Sequence, residues 1–498
     1  VAQSFWENAR TQPDRPALVA EDGTVLSYAE AARLADRWAT LFAELGVKPG
    51  ETVSVMAGNS PSWLVAYIAA LQSGLYFTPA AVKATGDDLA LIWGDSATRL
   101  IIVDQDAVNA ASEAADRVGI DPSRRLSFGN DERFVAISAA ADALPASAHV
   151  PPHRAGIRMM YTGGTTGAPR GIRHPLPEVT PEEAAAPIVA SPLLLGMREG
   201  DSRHLVSGPL YHGGPLAYAT AALHLGSTVV LPAGWSTEKI LRMIDEHRVN
   251  STFMVPTMLS RIAAMPESER GAYDLSSLEA IIHGAAPCPP ALKHSIMQWL
   301  GPVMYEFYAA TEAGGTYVTP EEWLERPGTV GRPLPGAEVY VFDEDGTPSP
   351  PYQTGRIHMR SRATGELVWP GDLGYFDDAG WLFLTDRVAD VIITGGVNVY
   401  SATVESRLVE FPGVQECAVI GVADPDWGEA VTAVLVTSWP ESERAEREDA
   451  LRAFAAERLT PAQRPKHYVV TAALALTAAG KVDKRALRSQ YAALVGAK

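Results

Sequence analysis

Four short stretches bring together residue types that could do chemistry on a phosphorylated ligand. In MYTGGTTGAPRG, residues 160–171, glycines are interleaved with the hydroxyls of Thr162, Thr165 and Thr166, and one cation, Arg170, stands near the end. Consecutive small residues let backbone N–H groups converge on an anion, and hydroxyls beside them add donors or metal ligands, so phosphate is the natural guest. The run lacks the Gly-Lys-Ser/Thr ending of the common P-loop. In EFYAATEAGG, Tyr308 offers an aromatic face for a base, Thr311 a hydroxyl for a phosphate and Glu312 a carboxylate for Mg2+. In PGDLGYFDDAGWLFLTDR, Asp372 and Arg387 could hydrogen-bond a ribose diol, and in TAAGKVDKRAL a Gly-flanked turn lets the Lys481 ammonium extend into a site. Each stretch has a plainer alternative: a flexible turn for the glycine run, a helix cap for Glu312, an Asx turn for Asp372, a surface lysine for Lys481.

The elements that must position these residues alternate in period. SYAEAARLADRWATLFAELG and PSWLVAYIAALQSG repeat apolar residues at helical spacing, while ETVSVMAG, RLIIVD, STVVLP and STFMVP read as short strands. Strand alternating with helix predicts an α/β layered fold with sites at the carboxyl ends of strands. From Thr329 to Arg362 the pattern changes to short strands with Gly and Pro turns, a small β-rich unit. Beyond Arg387 come a strand in DVIITGG, a helix in SATVESRLVEF, strands in ECAVIGV and AVTAVLVTS and a helix from Glu441, which predicts an α+β domain. The boundary is placed between Val388 and Ala389, giving domains 1–388 and 389–498. SAAADALPASA reads as a solvent-facing connector.

Composition narrows the class. At 498 residues there is room for roughly two to four domains. Hydrophobic and charged fractions of 47% and 20% are those of a folded globular chain. A formal charge of −18 argues against a general nucleic-acid or anionic-membrane surface, so any bound anion needs a local site. Cys288 and Cys417 are too few for a disulfide framework, and a reducing compartment is the simplest expectation. With no signal-like N-terminus, and with the most apolar run broken by Gln72, Ser73, Gly74 and Pro79, the expected location is the cytoplasm without a membrane span. A homodimer fits the habit of cytosolic enzymes.

Taken in this order, the motifs resemble those of the adenylate-forming superfamily of acyl-CoA synthetases, peptide-synthetase adenylation domains and luciferase, over nearly the whole chain. YTGGTTGAPRG is similar to the phosphate loop, EFYAATE to the adenine and magnesium motif, GDLGYFDDAGWLFLTDR to the ribose motif, DVIITGGVNVYSATVE to the C-terminal glycine loop and AAGKVDKRAL to the catalytic-lysine motif. GPLYHGGPL, HGAAPCPPALK and GGVNVY look closest to bacterial fatty-acyl and aryl-acid CoA ligases. The resemblance implies a large N-terminal domain of layered α/β subdomains with a small β-rich unit, followed by a small mobile C-terminal domain. It implies that Thr162, Gly163, Gly164, Thr165, Thr166 and Gly167 wrap the phosphates of ATP with Arg170 beside them. Glu312 and Thr166 would hold Mg2+, and Thr311 would meet the α-phosphate. Glu306, Phe307, Tyr308, Ala309 and the turn Gly284, Ala285 and Ala286 would surround adenine, with Glu306 accepting from the amino group. Asp372 and Arg387 would hold the ribose, and Lys481 would bridge the acid's carboxylate and the α-phosphate. Tyr211, His212, Gly213, Gly284 and Gly314 would line the acid pocket, His212 as its gate. Gly395 and Gly396 would flank the pantetheine of coenzyme A after the C-terminal domain rotates.

The reaction so implied is activation of a medium-chain or aromatic acid as an acyl-adenylate, then transfer to coenzyme A. Four features depart from the family pattern: Arg170 for the usual lysine, Ala309 for glycine, Ala389 at the hinge, and the short segment 356–371 between Gly355 and Asp372. They leave two other readings open. One is an adenylate-forming ligase with a different acid or acceptor, such as an amine for amide formation, or nitrite activated to diazotise an aryl amine. The other is a nucleotide-binding relative without catalysis.

Overall fold

The computed structural model describes residues 4–145, 154–163, 169–310, 313–361, 364–477 and 481–492, with backbone alone at 162–163 and 169–170. Thr311, Glu312 and Gly164 to Gly167 therefore lie outside the described residues. The fold is α/β, and the chain divides into two compact units: Val1–Met254 with Glu267–Ile282, and Val255–Pro266 with His283–Lys498.

In the first unit, local chemistry sets each helix start. Ser27 accepts from Glu30 N, and the Glu30 carboxylate accepts in turn from Ser27 N, a reciprocal cap that begins the helix Tyr28–Glu44. Such caps are worth about 1 kcal/mol each. The apolar run that a membrane span would need is instead a helix Pro61–Gln72 and a strand Tyr76–Pro79, separated at Gly74, whose φ of +67° suits glycine. Among the described residues no helix is long and apolar enough to cross a membrane. Six parallel strands form one sheet in the order Val135–Ala136, Arg125–Ser127, Thr98–Val103, Thr52–Met56, Tyr76–Pro79, Ile157–Arg158. A second set pairs Pro16–Ala20, Thr228–Leu231, Arg203–Leu205 and Ser251–Met254 around parallel ladders, with Val25–Ser27 as an antiparallel edge. One expectation fails locally. The stretch read as a connector begins inside a short helix, Ile137–Asp142, because Ile137 and Ala141 are buried and Arg37 donates to the carbonyls that end it.

The second unit is mainly antiparallel, whereas the sheets of the first are mainly parallel. We label its site-bearing elements β1 (Met304–Ala309), β2 (Asp372–Phe376), β3 (Leu382–Arg387), α1 (Ser401–Leu408) and α2 (Lys484–Tyr491). From β1 the strand order runs through Gly315–Val318 and Thr329–Pro333 to β3, β2, Gly355–Arg360 and Val339–Phe342. Val330, Val339, Val341, Ile357, Met359 and Leu382 form the core under this sheet, and Tyr308 packs against it. The C-terminal part is α+β: Val414–Asp424 and Gly428–Thr437 make a long antiparallel ladder, flanked by Ile392–Thr394 and the parallel strand His467–Val470. Its own core gathers Val404, Leu408, Val431, Leu435, Trp439 and Leu451.

Candidate active site

In the first unit, the glycine run is carried by a hairpin. Strands Met160–Gly163 and Pro169–Ile172 pair antiparallel, with Gly163 opposite Pro169 and Thr162 opposite Arg170, so both flanks of residues 164–168 are anchored. Tyr161 fixes the base of the hairpin by donating to Asp95 Oδ2 at 2.5 Å. Gly171 opposite it has no room for a side chain: a Cβ there would lie 2.7 Å from the Tyr161 ring.

Also in this unit, Tyr211 and His212 precede the helix Gly213–His224, their rings 4.5 Å apart at 60°. Burial raises the Tyr211 phenol above its ordinary value. A Cβ on Gly213 would meet nothing within 4 Å, whereas one on Gly214 would strike the Phe253 ring at 2.6 Å. Gly213 thus leaves open space beside the His212 backbone, and Gly214 is needed for packing.

The second unit brings three of the expected residues into direct contact. Asp372 and Arg387 are directly opposite on β2 and β3, and Arg387 Nε donates to Asp372 Oδ1 at 2.9 Å. Tyr308, from β1, donates its hydroxyl to Asp372 Oδ2 at 2.8 Å. Asp372 is 7% exposed, yet its carboxylate offers about four lone-pair sites, of which two are taken. It is a strand residue and not the start of an Asx turn. Burial, reinforced by the Asp372 charge, raises the Tyr308 phenol, so Tyr308 stays a donor. The Arg387 guanidinium remains open, with 62% of its side chain exposed. Lys481 O accepts from Thr477 N at 2.7 Å, and Lys481 N donates to Thr477 Oγ1 at 3.2 Å. The residue is exposed, but enough protein surrounds the ammonium that desolvation lowers its pKa, with Arg387 lowering it further and Asp372 opposing. These influences tie Lys481 electrostatically to the Asp372–Arg387 pair.

Other expected residues have different local roles. Glu306 is buried, and its Oε2 accepts from Lys293 Nζ at 2.8 Å, with His283 Nε2 3.6 Å away. Lys293 is fully buried and lies over the Trp323 ring at 4.7 Å. An adenine amino group would therefore meet a carboxylate already held by a cation. Sequence reasoning missed Lys293; its signal was a lysine at an apolar position of the helix Pro290–Leu300. Gly284 approaches Phe307 so closely that a Cβ would sit 2.7 Å from its carbonyl oxygen, and Ala285 takes a φ of +67°, a strained conformation for a residue with a side chain. Gly314 packs against Ala337. Ala309, the departure from glycine, is paired with Gly315, where a Cβ would fall 2.7 Å from the Ala309 methyl; the pair has room for one methyl only.

Gly395 and Gly396, at φ of +56° and +77°, form the two-residue turn between Ile392–Thr394 and Val397–Val399. The Trp427 ring covers Gly395, whose N donates to Trp427 O at 2.8 Å. Within the short segment 356–371, Leu367–Val368 pairs antiparallel with Met359 and Arg360. The segment places Trp369, which the motif reading did not single out, beside the site, stacked on His358 and donating to Asp372 O at 3.4 Å.

Comparison with known proteins bears on the family and the fold. Residues 5–369 match the family model described as AMP-binding enzyme, and residues 403–481 match the AMP-binding enzyme C-terminal domain. A feruloyl-CoA synthase from an Amycolatopsis species is 32% identical over 503 residues, covering 97% of each chain. Among solved structures, an amide bond synthetase from Marinactinospora thermotolerans has a TM-score of 0.81 at 28% identity, with 98% of this chain and 99% of that one covered. The o-succinylbenzoate CoA synthetase of Bacillus subtilis, bound to its acyl-adenylate intermediate, has a TM-score of 0.78 at 26% identity, with 97% of each covered.

Proposed function

Because the chain belongs to the AMP-binding enzyme family and is an adenylate-forming ligase, we propose that it activates a medium-chain or aromatic carboxylic acid with ATP and transfers the acyl group to coenzyme A. The observation that carries this reading is the Tyr308–Asp372–Arg387 constellation with Lys481 coupled to it by charge. The two lone-pair sites left on Asp372 would accept from a ribose diol, and Arg387 would donate to it. The face of Tyr308 would stack on the base while its hydroxyl remains committed to Asp372. Lys481 would approach the acid's carboxylate and the α-phosphate, neutralising charge as the carboxylate attacks phosphorus and pyrophosphate leaves. A divalent cation would supply further neutralisation of the phosphates. Thr166 and Glu312, its proposed holders, lie outside the described residues. The likeness to a feruloyl-CoA synthase favours an aromatic acid with a conjugated side chain.

In this reading residues 389–498 form a domain that turns about Ala389 between the two half-reactions, bringing Gly395 and Gly396 toward the pantetheine of coenzyme A. The likeness to an amide bond synthetase over nearly the full chain supports a second reading, in which an amine takes the acyl group. The deciding measurement is pyrophosphate release with ATP and Mg2+ against fatty acids, aromatic acids, and nitrite plus an aryl amine, each with and without coenzyme A or an amine. Acid-dependent release followed by a CoA thioester supports the first reading, and an amide without a thioester supports the second. Activity only with nitrite would replace both, and release with no acid at all would overturn the assignment.

A further inference from the structure

Helix α1 begins after Tyr400 with no cap from its own N-terminal residue. The cap comes from another strand: Asp386 Oδ2 accepts from Ser401 Oγ at 2.8 Å and from Ala402 N at 3.4 Å. Asp386 is the neighbour of Arg387 on β3, and successive strand residues face opposite ways. One strand end therefore presents Arg387 to Asp372 and Asp386 to α1.

The contact continues to the lysine turn. The Ser401 hydroxyl spends its single proton on Asp386 and accepts from Lys484 Nζ at 2.7 Å, so donors and acceptors balance. Lys484 also pairs with Glu405 at 2.6 Å, and Glu405 Oε1 is held by Val419 N at 2.7 Å. Burial disfavours the Lys484 ammonium, but Glu405, Asp390 and Asp386 outweigh it and raise its pKa. One turn further along α2, Arg488 donates to Asp390 Oδ1 at 2.8 Å and to Ala389 O at 3.0 Å. Position 389 thus contributes to the network through its carbonyl, which an alanine provides as well as any residue.

We propose that Asp386 is a positioning residue for Lys481: through Ser401 and Lys484 it ties α2 to β3 and so holds the Lys481 turn toward Arg387 and Asp372. The catalytic part of this inference rests on the adenylation reading, whereas the mechanical part does not. Because Asp386 lies at the strand end and Lys484 beyond the proposed hinge, the tether serves adenylate formation and has no part in the later transfer.

The test uses the full chain with Asp386→Ala and Asp386→Asn. Hydrogen exchange is read at the amides of Ala402, Lys481 and Val482, and adenylate formation is separated from transfer of a chemically prepared acyl-adenylate to coenzyme A. Asp386→Ala is expected to speed exchange at all three amides and to lower the kcat of adenylate formation on the order of 10- to 100-fold, as a small misplacement does, with the KM for ATP within about twofold. Transfer from the supplied adenylate should match the unaltered chain, and Asp386→Asn, which keeps an acceptor oxygen, should recover part of the rate. Unchanged exchange at Lys481 and Val482 would overturn the tether whatever the chemistry. Equal loss in both half-reactions would reduce Asp386 to a structural residue. If the unaltered chain forms no adenylate with any acid, the functional reading falls, and the exchange data alone judge the tether.

Discussion

Around Asp372 the side chains are paired with one another, whereas around Tyr211 they stand at the start of a helix with two glycines behind them. Tyr308, Asp372 and Arg387 come from three strands and are fixed by hydrogen bonds of 2.8 and 2.9 Å. Tyr211 and His212 are fixed by ring contact and by the helix that follows. A strand-borne, prepaired site suits a ligand part that never changes, such as a nucleotide's sugar. A loop-borne pair beside an unfilled Gly213 can be reshaped by one substitution without disturbing a ladder. On the proposed reading, chemistry falls to the second unit and acid selection to the first.

The strongest way to break that assignment is Lys481→Ala. Removing the ammonium should slow adenylate formation by about 3–4 kcal/mol in barrier, on the order of 10²–10³-fold, while ATP still protects the chain against heat. Undiminished adenylate formation would take the chemistry away from this cluster. Desolvation, with Arg387 nearby, lowers the Lys481 pKa from its ordinary value, so if the charged form acts as proposed, adenylation should fall as pH rises, at a lower pH than an ordinary lysine would give. A flat alkaline limb in kcat would contradict it.

Asp372→Asn comes next. It keeps the shape, removes the charge facing Arg387, and should weaken ATP binding by about 1.5–3 kcal/mol with little change in acid preference. Titration calorimetry with ATP measures the first quantity, and a shift in acid preference would blur the division between the two regions.

The frame behind Tyr211 can be tested by acid. His204 and His224 are fully buried there, and desolvation holds their pKa values at about 3 and about 4 against an ordinary 6.5. Below pH 6.5 the unfolded chain takes up protons that the folded chain refuses, so stability falls as pH falls, until the folded values are reached. At pH 5 each histidine should cost about 2 kcal/mol. Melting at pH 7 and pH 5 reads this, and replacing His204 with Asn should remove part of the difference.

The smallest expected effect sharpens the comparison most. Tyr211→Ala should change the preference between aromatic and aliphatic acids by about 0.5–1.5 kcal/mol, the worth of an aromatic contact, and leave the KM for ATP alone. Ratios of kcat/KM across the acid panel would show it, and an unmoved preference would release Tyr211 from the acid pocket.

Much of the architecture could be read directly because it is local. Helical spacing in SYAEAARLADRWATLFAELG marks the helix Tyr28–Glu44, and DVIITGG marks the strand Ile392–Thr394. SAAADALPASA misled because alanine and serine suit a short buried-face helix as well as a connector, and only the packing of Ile137 and Ala141 decides. The resemblance implies a place for Glu306 beside the base, but nothing in the sequence marks it as the partner of Lys293, since a buried lysine looks in sequence like any other.

The kinds of chemistry available and their order along the chain are written in the sequence: glycines and hydroxyls for phosphate, an aromatic face, a carboxylate and a guanidinium near one another, a lysine flanked by glycine. Local periodicity and caps determined most strands and helices. Which of these groups meet is settled by how the strands and helices pack. Tyr308 and Asp372 are 64 positions apart and Lys484 and Ser401 are 83 apart, distances at which spacing carries no directional information. Strand order and burial select those pairs: a buried carboxylate is tolerated only where donors reach it, and the fold brings them there.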